Sequence, residues 1–288
     1  MTLNRVSVDP KPVVCHGIRM EADLSGSLNY GSPMDVAVAS YQRMIDDLLD
    51  FGDLKVWSVL VTIFGDLAHR SGDFLPGPFL TAITTELGIK PEAQRVALHR
   101  LRKDGWIEVE KDGRVSHYAL SALARRETEA VQARVFDART PRLEPIYLVL
   151  VNPDVGYEAP RNWVPLGPAT FLTDQTPEPE TALLVTETQV KDLPDWARQR
   201  AIPEEISAAY LALAQHLEVD LSLDTIPARK RMALRILILH RWRRLVLSHS
   251  PTAANMMRPD WSGNLCRDRV QRWLTDLPRG DRTDLEAS

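Results

Sequence analysis

Residues 90–118, KPEAQRVALHRLRKDGWIEVEKDGRVSHY, carry seven Lys or Arg side chains at spacings suited to the face of a DNA duplex. On a helix opening at Pro91, Arg95 and His99 stand four residues apart and so lie one above the other. Arginine offers guanine O6 and N7 a planar fork, and Gln94 beside them has the amide that pairs with adenine N6 and N7. Lys90, Arg100, Arg102 and Lys103 are placed to meet phosphates, while Lys111, Arg114 and His117 fall on a hairpin able to follow the adjacent backbone or minor groove. The other reading of these residues is a solvated basic helix serving protein contacts only, which would show no salt-dependent DNA affinity.

Positioning such a face requires a scaffold, and the surrounding pattern is that of a winged helix-turn-helix over residues 54–122. Val56, Trp57, Leu60, Ile63, Phe64 and Leu67 form a wide apolar stripe, predicting a first helix at 54–68. Pro76-Gly77-Pro78 marks a break, and 79–87 reads as a short second helix closed by Gly88, a residue suited to the left-handed turn after a helix. The basic helix runs to about Asp104, turns Ala97, Leu98 and Leu101 inward, and has Gly105 as its C-terminal cap. Residues 106–110 then alternate as a strand, Asp112-Gly113 signals a hairpin, and 115–120 returns as the second strand of the wing.

The rest of the chain divides into three parts. Residues 1–53 form an arm, broken by Pro10, Pro12, Gly26 and Gly31, followed by a helix opened by Ser32-Pro33 with Val36, Val38, Tyr41, Met44, Ile45, Leu48 and Leu49 at helical spacing. That helix can pack on the main body or on a second subunit. A linker helix at 121–139 leads into residues 123–222, where the run IYLVLV at 146–151 and the stretches 169–172 and 182–185 read as strands of a small α+β domain. Residues 223–288 read as helical. The formal net charge of −4 excludes a chain that coats nucleic acid indiscriminately, so DNA binding must come from a local patch. Cys15 and Cys266 stand far apart with no metal-ligand spacing, and no Walker loop or nucleophile elbow is present, so neither metal nor catalytic residues are expected. The N-terminus lacks a signal-peptide core and no run of eighteen apolar residues occurs, which predicts a cytoplasmic protein without membrane attachment.

Four segments in order, Val61-Thr62-Ile63-Phe64-Gly65-Asp66, Leu98-His99-Arg100-Leu101-Arg102-Lys103-Asp104-Gly105-Trp106, His240-Arg241-Trp242-Arg243-Arg244 and Pro259-Asp260-Trp261-Ser262-Gly263, resemble the PaaX family, the repressors associated with phenylacetate-degradation operons. The resemblance covers roughly residues 54–280. It implies an α+β protein with an N-terminal winged helix-turn-helix, a middle ferredoxin-like domain similar to Cas2 and a helical C-terminal domain. It further implies a homodimeric repressor on a double-stranded DNA operator, with an acyl-CoA thioester such as phenylacetyl-CoA as effector and no cofactor. Dimerisation is also a physical expectation, since two half-sites multiply the specificity of one short reading helix.

The densest positive charge lies outside the expected reader. Residues 229–244 hold seven Lys or Arg and no acid, whereas 90–118 balance seven against five. Arg241, Trp242, Arg243 and Arg244 are candidates to grip the phosphates of a CoA-type effector or to add DNA contacts. The alternative is structural, with Trp242, like Trp261 and Trp273, anchoring a core while the arginines face solvent or acids. A Cas2-like middle domain also raises a metal-dependent nuclease built on Asp154, although Asn152-Pro153-Asp154-Val155-Gly156 is equally good as a turn.

Overall fold

The computed structural model describes residues 33–137, 145–178, 180 and 182–279; the expected N-terminal arm lies outside them. The chain is a mixed α+β protein. Its first section runs α1 (Pro33–Asp50), α2 (Val56–Leu67), β1 (Leu75–Pro76), α3 (Gly77–Glu86), α4 (Pro91–Lys103), β2 (Ile107–Asp112), β3 (Val115–Leu120) and α5 (Ala122–Phe136). β2 and β3 form an antiparallel hairpin from Ile107 opposite Leu120 to Asp112 opposite Val115, turned through Gly113 at φ +57°. β1 adds to the far side of β3, giving the order β1-β3-β2. Only a break was foreseen at Pro76. Proline is tolerated there because this two-residue strand is an edge of the sheet.

Of the stripe expected on α2, Leu60, Ile63 and Phe64 are buried and Val56 and Leu67 half-buried, Val59 is buried beside them, and Trp57 is exposed at the start of the helix. α1 packs on its own chain. Tyr41, Met44, Ile45 and Leu48 are buried against the body, and the Tyr41 hydroxyl donates to the Lys230 carbonyl at 3.1 Å. Ser121 caps α5 by accepting from the Ala124 N–H, as an N-cap serine does.

The second section holds β4 (Ile146–Val151), β5 (Val164–Gly167), β6 (Thr170–Thr173) and β7 (Leu183–Thr188) in one antiparallel sheet of order β5-β6-β4-β7. β5 was not foreseen, because Pro165 and Gly167 break its apolar pattern and a bulge accommodates them at the sheet edge. One side of the sheet packs Ile146, Val164 and Leu172 against α6 (Asp195–Ala201) and α9 (Pro251–Asn255) through Ala253, Met256 and Ile202. Over the strands, Tyr157 stacks on Trp163, which contacts Phe171.

The remaining helices are α7 (Glu204–His216), α8 (Ala228–Val246) and α10 (Ser262–Asp276). α8 is the hub, in contact with α1, α2, α3, α5, α7 and α10. Every residue from 232 to 242 is buried, including Arg235, His240 and Arg241. One continuous apolar core therefore joins the helices before residue 122 to those after 223. Arg235 clamps Asp66 of α2 through Nε and Nη2 along one guanidinium edge, at 2.6 and 2.9 Å, and its Nη1 donates to the carbonyls of Leu274 and Leu277. Arg279 reaches the same carboxylate at 2.8 Å. At Gly263, the Trp261 ring lies 2.3 Å from where a side-chain carbon would stand, so only glycine fits there.

His240 is fully buried, with Nδ1 3.2 Å from the Thr62 hydroxyl. That hydroxyl gives its proton to the Ser58 carbonyl, so the imidazole must be the donor, as the neutral tautomer protonated at Nδ1. Burial, with Arg243, Arg241 and Arg244 close by, pulls His240 down to about 3. Between that value and the unfolded value near 6.5 the folded chain binds fewer protons than the unfolded chain. The contribution is complete above the unfolded value and is lost as pH falls toward the folded one. Urea unfolding of the wild type against His240→Gln should show the difference in stability shrinking by about 1 kcal/mol per pH unit between pH 6 and pH 4.

Candidate nucleic-acid interface

α4 is held between two glycine turns of one kind. After α3, Gly88 at φ +70° lets the Ile89 N–H reach the Thr84 carbonyl, and after α4, Gly105 at φ +72° lets the Trp106 N–H reach the Leu101 carbonyl. Both are Schellman closures, which end a helix and fix the direction of the departing chain. Ala97, Leu98 and Leu101 are buried, as their spacing predicts. Lys90, Arg95, His99, Arg100, Arg102 and Lys103 all stand exposed on or beside the opposite side. Arg95 rests 3.3 Å from Glu92 and Arg100 rests 3.6 Å from Asp104, pairs with every side chain more than half exposed. Solvent-screened pairs of this kind are worth less than about 1 kcal/mol, so an incoming phosphate can displace them. Val96 shares this face with 70% of its surface exposed. Helical spacing places it beside Arg95, and an uncharged side chain carries no electrostatic signal in the sequence.

Gln94 does not share the face, and its assignment as an adenine reader is corrected. It is buried, with Oε1 2.7 Å from the Thr84 hydroxyl while Nε2 donates to Thr81 at 3.2 Å. A glutamine one position from Arg95 points about 100° around the helix, here into the α3–α4 contact, where two threonines satisfy its amide. On the hairpin, Lys111 and Arg114 are exposed near the tip. His117 is half-buried and packs edge-on against Phe74 at 4.9 Å, so it supports the hairpin root. Exposed Glu108, Glu110 and Asp112 make the hairpin basic only toward its tip.

The second basic segment proves to be internal wiring. Arg241 Nε and Nη2 donate to the Leu48 and Leu49 carbonyls at 2.7 Å each, satisfying the C-terminal end of α1 with a cation where the helix dipole favours one. Burial and neighbouring Arg244 lower Arg241 to about 10, which leaves it charged at neutral pH. Trp242 is buried and its indole N–H donates to the Val135 carbonyl at the end of α5. Arg244 donates to the Asp53 carbonyl, Arg243 to Thr62 and Ser58, and Arg229 pairs with Glu86 at 2.7 Å. Arg241 and Trp242 are thus corrected from effector contacts to packing and capping residues. Arg243 alone of the four lines a half-open cavity of about 200 Å³ between α2, α5 and α8, with Val61, Trp106, Val135, Phe136 and Leu239 among its walls.

In the sheet domain, Asp154 sits in a loop closed by its own N–H donating to the Asn152 side chain at 3.0 Å, an Asx turn that accounts for the sequence there. No three His, Cys, Asp or Glu side chains gather in ligating geometry among the described residues. No described helix is long and apolar enough to cross a membrane.

These features define an α+β protein that presents an exposed basic helix beside a β-hairpin, both secured to a helical core. Residues 55–124 match the PaaX-like protein family. The chain is 26% identical over 242 residues to the transcriptional repressor PaaX of Escherichia coli K12, covering 73% of this chain and 76% of that one. The PaaX resemblance stated from the sequence therefore holds. Among solved structures, an uncharacterized protein from Mycobacterium tuberculosis aligns over 80% of this chain and 96% of its own length, with 16% identity and a TM-score of 0.49.

Gln94→Ala should lower unfolding free energy by about 1–3 kcal/mol, because it removes the two hydrogen bonds to Thr81 and Thr84 from the α3–α4 contact. Denaturant melts check the loss. If DNA selected by the variant differs from that selected by the wild type at a single base, the placement of Gln94 as a structural residue fails.

Proposed function

We propose that the chain is a sequence-specific DNA-binding transcriptional repressor of the phenylacetate-pathway type, acting as a homodimer. The carrying observation is the exposed cationic face of α4, isolated on a chain of net charge −4. On this reading α2, α3 and α4 with the β2–β3 hairpin form a winged helix-turn-helix over residues 54–122, and α4 enters the major groove. Arg95 and His99 meet base edges, Lys90, Arg100, Arg102 and Lys103 meet phosphates, and Lys111 and Arg114 at the hairpin tip touch the flanking backbone. The similarity to a named repressor supports the direction of regulation.

We read β4 to β7 as the ferredoxin-like unit. Numbered in chain order, its strands lie 2-3-1-4, the order of a split βαβ sheet, although no helix is found in the described parts of the two crossovers. A nuclease reading is not favoured, since similarity runs to a regulator and Asp154 is explained by its turn.

Binding should be measured on a duplex selected from a random library by the full-length chain, across a salt series. Lys103→Ala should reduce the slope of log affinity against log salt by about 1, the signature of one lost phosphate contact. Arg95→Ala should cost about 1–3 kcal/mol and relax preference at one base pair. Failure to select any sequence would overturn the reading.

For the effector, an acyl-CoA thioester such as phenylacetyl-CoA, the cavity between α2, α5 and α8 is the place we assign to the acyl group. Its exposed lining is mostly apolar, with Glu127, Gln132 and Arg243 among the polar walls, and Trp106 ties it to the turn that ends α4. Phenylacetyl-CoA should release the wild-type protein from the selected duplex, and Val135→Trp, which fills the cavity, should raise the concentration needed by about tenfold, on the order of one lost apolar contact. Release at an unchanged concentration would move the acyl group elsewhere.

A further inference from the structure

Val96 is the most exposed large apolar side chain among the described residues, at 70%. It lies in the middle of the exposed face of α4, with Arg95 next to it, His99 three residues on and Arg100 four residues on, all exposed, while the one acid on the face, Glu92, is paired with Arg95. Nothing in the fold accounts for it. Helix interiors disfavour β-branched residues, and a solvated position gains no burial in return.

Its surroundings are chemically selective. A neighbouring protein surface that buried an isopropyl group here would have to accept several cations within a turn of it. A DNA major groove offers the matching combination, phosphates for the cations and one apolar group on the base edges, the C5 methyl of thymine. Valine is stiff about its first side-chain torsion, so the contact needs little ordering on binding.

We propose that Val96 reads the 5-methyl group of a thymine in the operator, which makes recognition by α4 dependent on that methyl as well as on hydrogen bonds. This rests on the reading of α4 as the major-groove helix. It adds a specificity-determining residue that distinguishes thymine from cytosine, whose C5 carries no methyl group.

The test uses the duplex selected from a random library by the full-length chain. Each thymine is replaced singly by deoxyuridine, which removes the methyl and leaves every hydrogen-bonding group in place. At one position per half-site the wild-type protein should bind about 3- to 6-fold more weakly, on the order of one buried methyl. Val96→Ala should bind the thymine and deoxyuridine duplexes equally at that position, so the two changes are non-additive. If selected DNA is bound but no thymine shows a penalty, or Val96→Ala keeps the whole penalty, the inference about Val96 is overturned while the DNA-binding reading stands. If no duplex can be selected, both fall together.

Discussion

Asp66 is a carboxylate with no exposed surface on α2, and the arrangement of the helices turns on how its charge is met. Burying an unpaired carboxylate is prohibitively costly, and even a buried pair stabilises little unless every remaining donor and acceptor is satisfied. Here Arg235 engages both oxygens, Arg279 adds a third contact, and the remaining Arg235 nitrogen is taken up by two carbonyls at the end of α10. The geometry ties three remote segments, α2, α8 and the stretch after α10, to one point. Since α2 packs directly on α4, the exposed face of α4 inherits its orientation from this buried charge.

The same principle accounts for the electrostatic layout. The segment with the highest positive charge density, 229–244, spends little of it on solvent. Arg241 and Arg244 satisfy the carbonyls at and just after the end of α1, and Trp242 and Arg134 serve the ends of α5 and α8. Helix ends buried in a many-helix core present carbonyls that water cannot reach, and long cationic side chains are the donors that can. Charge on α4 is different in kind. Its side chains stand in water, paired only loosely with acids on their own helix, and are therefore free for a polyanion.

Much of this was legible in the residues alone. The helical period of α2 and α4, the proline start of α4, the glycine closures at 88 and 105 and the return strand at 115–120 all depend on contacts within a few positions, and they stand where spacing put them, while α3 begins at Gly77, inside the expected break. What escaped were features that depend on contact with another element. β1 exists because β3 lies beside it, β5 because β6 does, and Gln94 turned inward because Thr81 and Thr84 on another helix meet its amide.

By itself the sequence determined most of the local elements, the identity of the basic helix and the resemblance to the PaaX family, because these reside in periodicity, turn chemistry and short motifs. Only the tertiary structure decided which cations face solvent. A run of arginines looks the same in sequence whether it meets phosphates or carbonyls, and the difference lies in what the fold brings opposite: for Arg241 the buried end of α1, for Arg95 open water.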